Sequence, residues 1–147
     1  MTAAAIHQRL ADDATLVALL GTYAGSSCVF YPQVPPGAPR PYVVIDPSDV
    51  SDISQADLSG KDIRSIDFDI SAYADFTGSA ATVDAIAERV RALFHANGRD
   101  AGLSTPVTMS GYNGLHTSVV AGPVWAETDD SIEGRTVTVR TKIERAT

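Results

Sequence analysis

Cysteine is all but missing from this sequence. Cys28 is the only one in 147 residues, so no internal disulfide and no cage of thiolates around a metal can form, which fits a reducing compartment. Long apolar runs are missing as well. No stretch reaches the roughly 18 apolar residues that a membrane helix needs, and MTAAAIHQRLADD at the start has neither a basic flank nor a sustained hydrophobic segment. The expectation is a chain with no signal peptide and no membrane partner. Positive charge is scarce: 11 Lys and Arg face 18 Asp and Glu, a formal charge of −7. That balance excludes a surface built to neutralise many phosphates, although it leaves open passive proximity to DNA. The glycines do not gather into G-x-x-x-x-G-K-[ST], G-x-G-x-x-G or G-x-S-x-G, so phosphate cradles and the strained serine elbow are absent.

What is present fits one domain. At 147 residues, 44% of them hydrophobic and 20% charged, the chain has material for a single core. Its most unusual stretch is PQVPPGAPRPYVVI at 32–45, where Pro32, Pro35, Pro36, Pro39 and Pro41 precede a strand-like apolar run. Proline fixes φ and removes a donor, so such a segment neither enters a sheet interior nor continues a helix. We expect an extended arm, lying across the protein's own surface or reaching onto another.

Periodicity supplies the remaining elements. Ile6, Leu10, Leu16, Val17, Leu19 and Leu20 predict a helix or broken helix pair over 3–20, with Asp12 and Asp13 as the cap between its halves. Gly21 and Gly25 close it, CVFY at 28–31 is a short β-type stretch, and YVVI at 42–45 reads as a strand. The segment 46–62 is acidic and turn-rich and predicts a long loop or irregular hairpin tip. Strict alternation follows, with Ile66, Phe68, Ile70 and Ala72 on one side and Asp67, Asp69, Ser71 and Tyr73 on the other. This is a strand with one wet face. Val83, Ile86, Ala87, Val90, Leu93 and Phe94 then mark an amphipathic helix over 79–96, capped by Ser79 and stopped at Asn97-Gly98. Strands are predicted at 107–112, 115–128 and 135–144, the last two joined by a turn at Asp129-Asp130-Ser131. The order predicts an α+β fold: a mainly antiparallel sheet with helices packed on one face, its other face polar.

Candidates for chemistry are few. His7, His95 and His116 lie on separate elements without ligand spacing, and Cys28 sits in an apolar setting as a small buried hydrophobe. We assign no metal, no cofactor and no catalytic residue. The best acidic cluster is Asp67 with Asp69, two carboxylates on one strand face, with Glu88 as a third of the kind two-metal hydrolases use. A solvated sheet face carries the same pattern, and that reading is preferred. Asp46, Asp49, Asp52, Asp57 and Asp62 lack the spacing and closing Glu of a calcium loop, so they read as a solvated or partner-facing loop. Arg135, Arg140, Lys142 and Arg145 are interleaved with Glu133 and Glu144, which suits an intersubunit salt-bridge face better than a nucleic-acid stripe.

Several segments taken together resemble a known family. They are AAIHQRL at 4–10 with LVALL at 16–20, VPPGAPRPYVVI at 34–45, IDFDISAYAD at 66–75, VDAIAERVRALF at 83–94 and GRTVTVRTKIE at 134–144. Their order resembles the tail terminator, or tail completion, proteins of long-tailed bacteriophages and gene transfer agents. The resemblance implies a non-enzymatic virion subunit, made in the host cytoplasm and placed at the head-proximal end of the tail. There a homo-oligomeric ring, usually of six copies, ends tube polymerisation and meets the tail tube protein and the neck proteins. On this reading Val34, Pro35, Pro36, Pro39 and Tyr42, with Arg135, Arg140 and Lys142, are expected at subunit boundaries. The acidic segment is expected to face a partner or a channel through which DNA passes without tight binding. Another head-to-tail joining component, the small metal-dependent hydrolase and a monomeric adaptor domain are the alternatives.

Overall fold

Asp13 breaks the first helical stretch in two. In the computed structural model, which describes residues 2–46, 53–56, 62–95, 111–127 and 129–146, α1 spans Thr2–Ala11 and α2 spans Ala14–Val17. Between them Asp13 is extended, and its carboxylate accepts the Leu16 N–H at 2.8 Å, the bond that starts the second helix. The two helices carry Ile6, Leu10 and Leu16 into full burial.

A hairpin that the sequence reading did not anticipate follows Gly21: β1 (Thr22–Tyr23) pairs with β2 (Ser26–Ser27). Its turn residues Ala24 and Gly25 have φ of 51° and 82°, the left-handed pair of a two-residue hairpin. Asn-Gly is the usual sequence signal for such a turn, and Ala24 conceals it. β3 (Val29–Phe30) then runs parallel to β4 (Tyr42–Asp46).

The proline segment between β3 and β4 departs from the extended arm expected of it. The Ala38 N–H donates to the Pro35 carbonyl at 3.3 Å, and Gly37 has φ 80°, so Pro36 and Gly37 form the corner of a type II turn. The Gly21 N–H donates to the Pro41 carbonyl at 2.9 Å, and the Tyr23 hydroxyl donates to the Pro36 carbonyl at 3.4 Å. The segment therefore folds back over its own subunit, beside the β1–β2 hairpin.

The acidic segment takes the second of its two predicted forms, a hairpin, with a strand that its composition does not mark. Within it, β5 (Ile53–Ala56) pairs antiparallel with the start of β6 (Asp62–Asp75), while β4 pairs with β6 from Asp69 to Tyr73. β8 (Ile132–Arg145) occupies the opposite side of β6 along almost its whole length, so β4 and β5 follow each other along one edge. A strand as long as β6 offers backbone partners beyond the end of β4, and satisfying them outweighs the poor strand propensity of Ser54 and Gln55. Asp49, Asp52 and Asp57 lie outside the described residues.

α3 covers Ala81–Phe94, as its apolar spacing predicts. Its N-cap is Ala80 and not Ser79, whose hydroxyl accepts the Ala81 N–H at 3.3 Å from one position earlier. The predicted stop at Asn97-Gly98 falls outside the described residues. β7 (Tyr112–Glu127) and β8 form the last hairpin through a turn with Ser131 at φ 51°. Of the strand predicted at 107–112, only Gly111 and Tyr112 are described, and Tyr112 opens β7.

The sheet order is β3-β4-β6-β8-β7, with β5 added to β6, and every pairing except β3–β4 is antiparallel. Ile86, Ala87, Val90 and Phe94 of α3, with the apolar residues of α1 and α2, cover Val43, Ile45, Phe68, Ile70, Val137 and Val139. Each large side chain buried in this way contributes about 1.5–3 kcal/mol. One sheet face is thus closed by helices. The α+β prediction, with the helices on a single face, holds.

Candidate interaction surface

The sheet face away from the helices is where the polar half of each strand's alternation collects. Register sets Asp67 opposite Arg140, Asp69 opposite Thr138 and Ser71 opposite Thr136. Each pair bonds. Arg140 grips Asp67 with two bonds of 2.8 Å, the Thr138 hydroxyl donates to Asp69 at 2.7 Å, and the Ser71 and Thr136 hydroxyls lie 3.0 Å apart. Such cross-strand pairs fix register without needing burial. The Asp67 carboxylate holds the Arg140 guanidinium still further toward its charged form, mainly through these hydrogen bonds.

Toward one end of the same face the polar ladder gives way to a belt of rings. Tyr23 meets Phe30 at a centroid distance of 6.2 Å, Phe30 meets Tyr42 at 6.1 Å, Tyr42 meets Tyr73 at 5.3 Å, and Tyr73 meets Trp125 at 5.6 Å. Three of the four contacts are edge-on, the geometry that the ring quadrupoles favour. The belt crosses the sheet from the β1–β2 hairpin to β7. It passes over β8 at Gly134, which lies in register with both Tyr73 and Trp125. Burial pushes the Tyr42 phenol above its ordinary pKa, and neighbouring Tyr73 adds to the shift.

Beside the belt, the start of the proline segment walls a groove of about 420 Å³ lined by Pro32, Gln33, Val34, Tyr42, Ser71 and Tyr73, among others. Val34 and Pro35 are half-buried, while Pro36 and Pro39 are exposed. At the far side of the sheet, β7 pairs with β8 alone, and among the described residues no strand lies along its outer edge. Its ladder shifts register between Gly114 and His116 and again between Ala121 and Val124, around Pro123, as an edge strand tolerates. Val120 is 70% exposed on this strand.

The predicted boundary cations have partners inside their own subunit. Arg140 holds Asp67, and Arg135 lies toward the helical layer, where its Nε donates to the Gly122 carbonyl and its Nη1 to Asp84 of α3, both at 2.8 Å. Lys142 is exposed on the open face. Of the acidic set, Asp46 closes β4 opposite Asp69, and Asp62 opens β6. Sequence reasoning did not single out Tyr23, Phe30, Tyr73, Gly134 or Trp125. The available signal was an aromatic ending the alternating strand on its wet side, at Tyr73.

The structure separates the acidic trio of the hydrolase alternative. Asp67 and Asp69 are engaged on the open face, whereas Glu88 is exposed on α3 beyond the opposite face. The sheet lies between them, so they cannot share metal ions. Among the described residues no three His, Cys, Asp or Glu side chains gather to hold a metal. Cys28 is fully buried, and that burial raises its thiol pKa. His7 bonds the Val29 carbonyl through Nε2 at 3.1 Å and so ties α1 to β3. Among the described residues no helix is long and apolar enough to cross a membrane.

Comparison with known proteins agrees with this fold. No curated protein matches the sequence. Among solved structures, a chain of the virion of a native gene transfer agent particle superposes with a TM-score of 0.70 at 28% identity, over 96% of this chain and 92% of that one. The profile of the family described as tail completion protein gp17 matches residues 4–144. The chain belongs to the tail completion protein gp17 family.

Proposed function

We propose that this protein is a structural component of a phage-type or gene transfer agent tail. It acts as a ring at the head-proximal end of the tail tube, where it ends tube growth and presents the surface that joins the head. The observation that carries this reading is the likeness, over nearly the full length of both chains, to a subunit of a gene transfer agent virion. Among the described residues the open face holds paired polar groups and rings, as a packing surface does. Six copies are expected in the ring, with the tail tube protein on one side and neck proteins on the other. The net charge of −7 suits a collar that lets DNA pass without holding it.

Two measurements test this. Native mass and negative-stain imaging of the purified protein should show closed rings, and particles produced without the protein should accumulate tubes that are overlong or unattached to heads. A 15.4 kDa species at every concentration, together with normal particles in its absence, would overturn the proposal.

A further inference from the structure

Charge is distributed along this chain in an uneven way. Asp, Glu, Lys and Arg make up 20% of the residues, yet residues 14–39 contain none, and neither do residues 101–126. The fold sends these two charge-free stretches to opposite ends of one sheet. The first builds α2, β1, β2, β3 and the proline segment as far as Pro39, and the described part of the second is Gly111 with β7 as far as Ala126. In a protein of net charge −7, the two lateral ends of the sheet are built largely from stretches without charged residues.

We infer that copies of this chain associate head to tail, the outer side of β7 in one subunit packing against the β1–β2 hairpin and proline segment of the next. The inference rests on the ring reading above and adds the surfaces that form it. Three observations support it. First, copies that each carry −7 repel one another, and a contact made by stretches without charged side chains of their own limits both close like-charge approach and the desolvation of ions. Second, both ends present apolar area: on β7, Val120 and Trp125 on the open face are 70% and 39% exposed and Val124 on the helical face is 39% exposed, and Tyr31 at the other end is 37% exposed, beside Pro36 and Pro39. Third, the aromatic belt starts at Tyr23 at one end and stops at Trp125 at the other, so head-to-tail contact continues it from subunit to subunit.

The occupant is a second copy and not a foreign partner because the feature occurs twice, on opposite ends, with the same chemistry. A single foreign partner needs one such end. A heterologous repeat needs two, and closes into a ring when the rotation between subunits allows. Arg140 lines a pocket with Val120, but Arg135 and Arg140 hold Asp84 and Asp67 within their own subunit, so neither brings an unpaired charge to this boundary.

The experiment uses the full chain with one acid placed on each end, Val120→Asp on β7 and Ser26→Asp on β2, both at exposed positions. Far-ultraviolet circular dichroism and unfolding midpoints should match the wild type, which shows that both variants fold. Each variant alone should lose rings, with association weakened by at least about a hundredfold. An equimolar mixture should give a heterodimer of twice 15.4 kDa and nothing larger, because each variant keeps one intact end and the two intact ends are complementary. Rings that persist in both variants would overturn the proposed surfaces while leaving the ring reading intact. Assembly lost only with Val120→Asp would mean that β7 meets its own copy, and would overturn the head-to-tail arrangement. A wild-type chain that stays monomeric would overturn the ring reading itself and this inference with it.

Discussion

The indole of Trp125 lies over the backbone of Gly134, so close that a Cβ at position 134 would stand 2.5 Å from Cζ2 and 2.7 Å from Cε2 of the ring, with the Ala72 carbonyl 3.2 Å away on the other side. Gly134 is therefore the gap in β8 that lets the aromatic belt cross the strand. A ring covering a glycine in a neighbouring strand also restores the packing that the glycine gives up.

Gly134→Ala should displace Trp125 and destabilise the fold by about 1–3 kcal/mol, the usual range for overpacking. Trp125 is the chain's only tryptophan, so its fluorescence reports the displacement without interference. The double variant with Trp125→Ala should lose less stability than the two single losses added together, since the clash has gone. Strict additivity in urea unfolding would show that the two residues do not interact.

Asp13 is the pivot of the helical layer. Its carboxylate caps α2 and also takes two hydrogen bonds from Arg89 of α3, at 2.8 and 2.7 Å. The bond from Arg89 is the main reason its pKa lies below the ordinary carboxylate value, with the Leu16 N–H adding to the shift and burial opposing it. A carboxylate whose folded pKa is depressed stabilises the fold above its unfolded pKa of about 3.9, and that contribution is lost as pH falls through the lower folded value. Asp13→Ala should cost about 1–2 kcal/mol at neutral pH through the lost cap. Asp13→Asn should cost less, because Asn also caps. Both should show a shallower loss of stability below about pH 4 than the wild type. An unchanged acid profile in both variants would remove Asp13 from this account.

What could be read from the sequence was decided by how local the determining pattern is. The strand from Ile66 to Ala72 and the helix from Val83 to Phe94 announce themselves because period two and period 3.6 are properties of neighbours, and the break at Asp13 because a cap acts within one turn. The β1–β2 hairpin escaped because Ala24 stands where Asn would signal the turn. β5 escaped because its reason for being a strand is β6, a partner further along the chain, and not its own composition. The belt was out of reach for the same cause on a larger scale: Tyr42, Tyr73, Gly134 and Trp125 are far apart in sequence, and only the registers of β4, β6, β8 and β7 bring them into line.

Arg135 joins three elements, since it sits on β8, holds Asp84 of α3 and donates to the Gly122 carbonyl where β7 shifts register. Arg135→Ala should destabilise the protein by about 1–3 kcal/mol, as expected for charge-assisted bonds at a half-buried site. It should also speed amide exchange in β7 near Gly122. Asp84→Asn should do much less, because the Asp84 side chain is 48% exposed and its pairing is screened. Equal effects from the two variants would mean that the bond to the Gly122 carbonyl carries no weight.

Cys28 offers a probe of opening at the β3 end of the sheet. Its side chain is fully buried and its thiol pKa is raised by that burial, so little reactive thiolate exists and reagents cannot reach it. Labelling by a disulfide reagent at about pH 8 should be far slower than for a free thiol, and should accelerate with denaturant in step with global unfolding. Fast labelling in native buffer would show that the sheet opens locally beside β3.

The charge balance makes a prediction about DNA. With 18 acidic against 11 basic side chains, the protein should show no measurable duplex binding at physiological salt, because binding requires the release of counterions by clustered cations. Asp49, Asp52 and Asp57 belong to the segment expected to face a channel or partner. Converting all three to Lys should create weak binding that disappears as salt is raised. Micromolar binding by the unaltered protein would contradict an acidic collar that lets DNA slide through. So would a triple Lys variant with no gain in affinity, because the acids at those positions would then not be what keeps the duplex away.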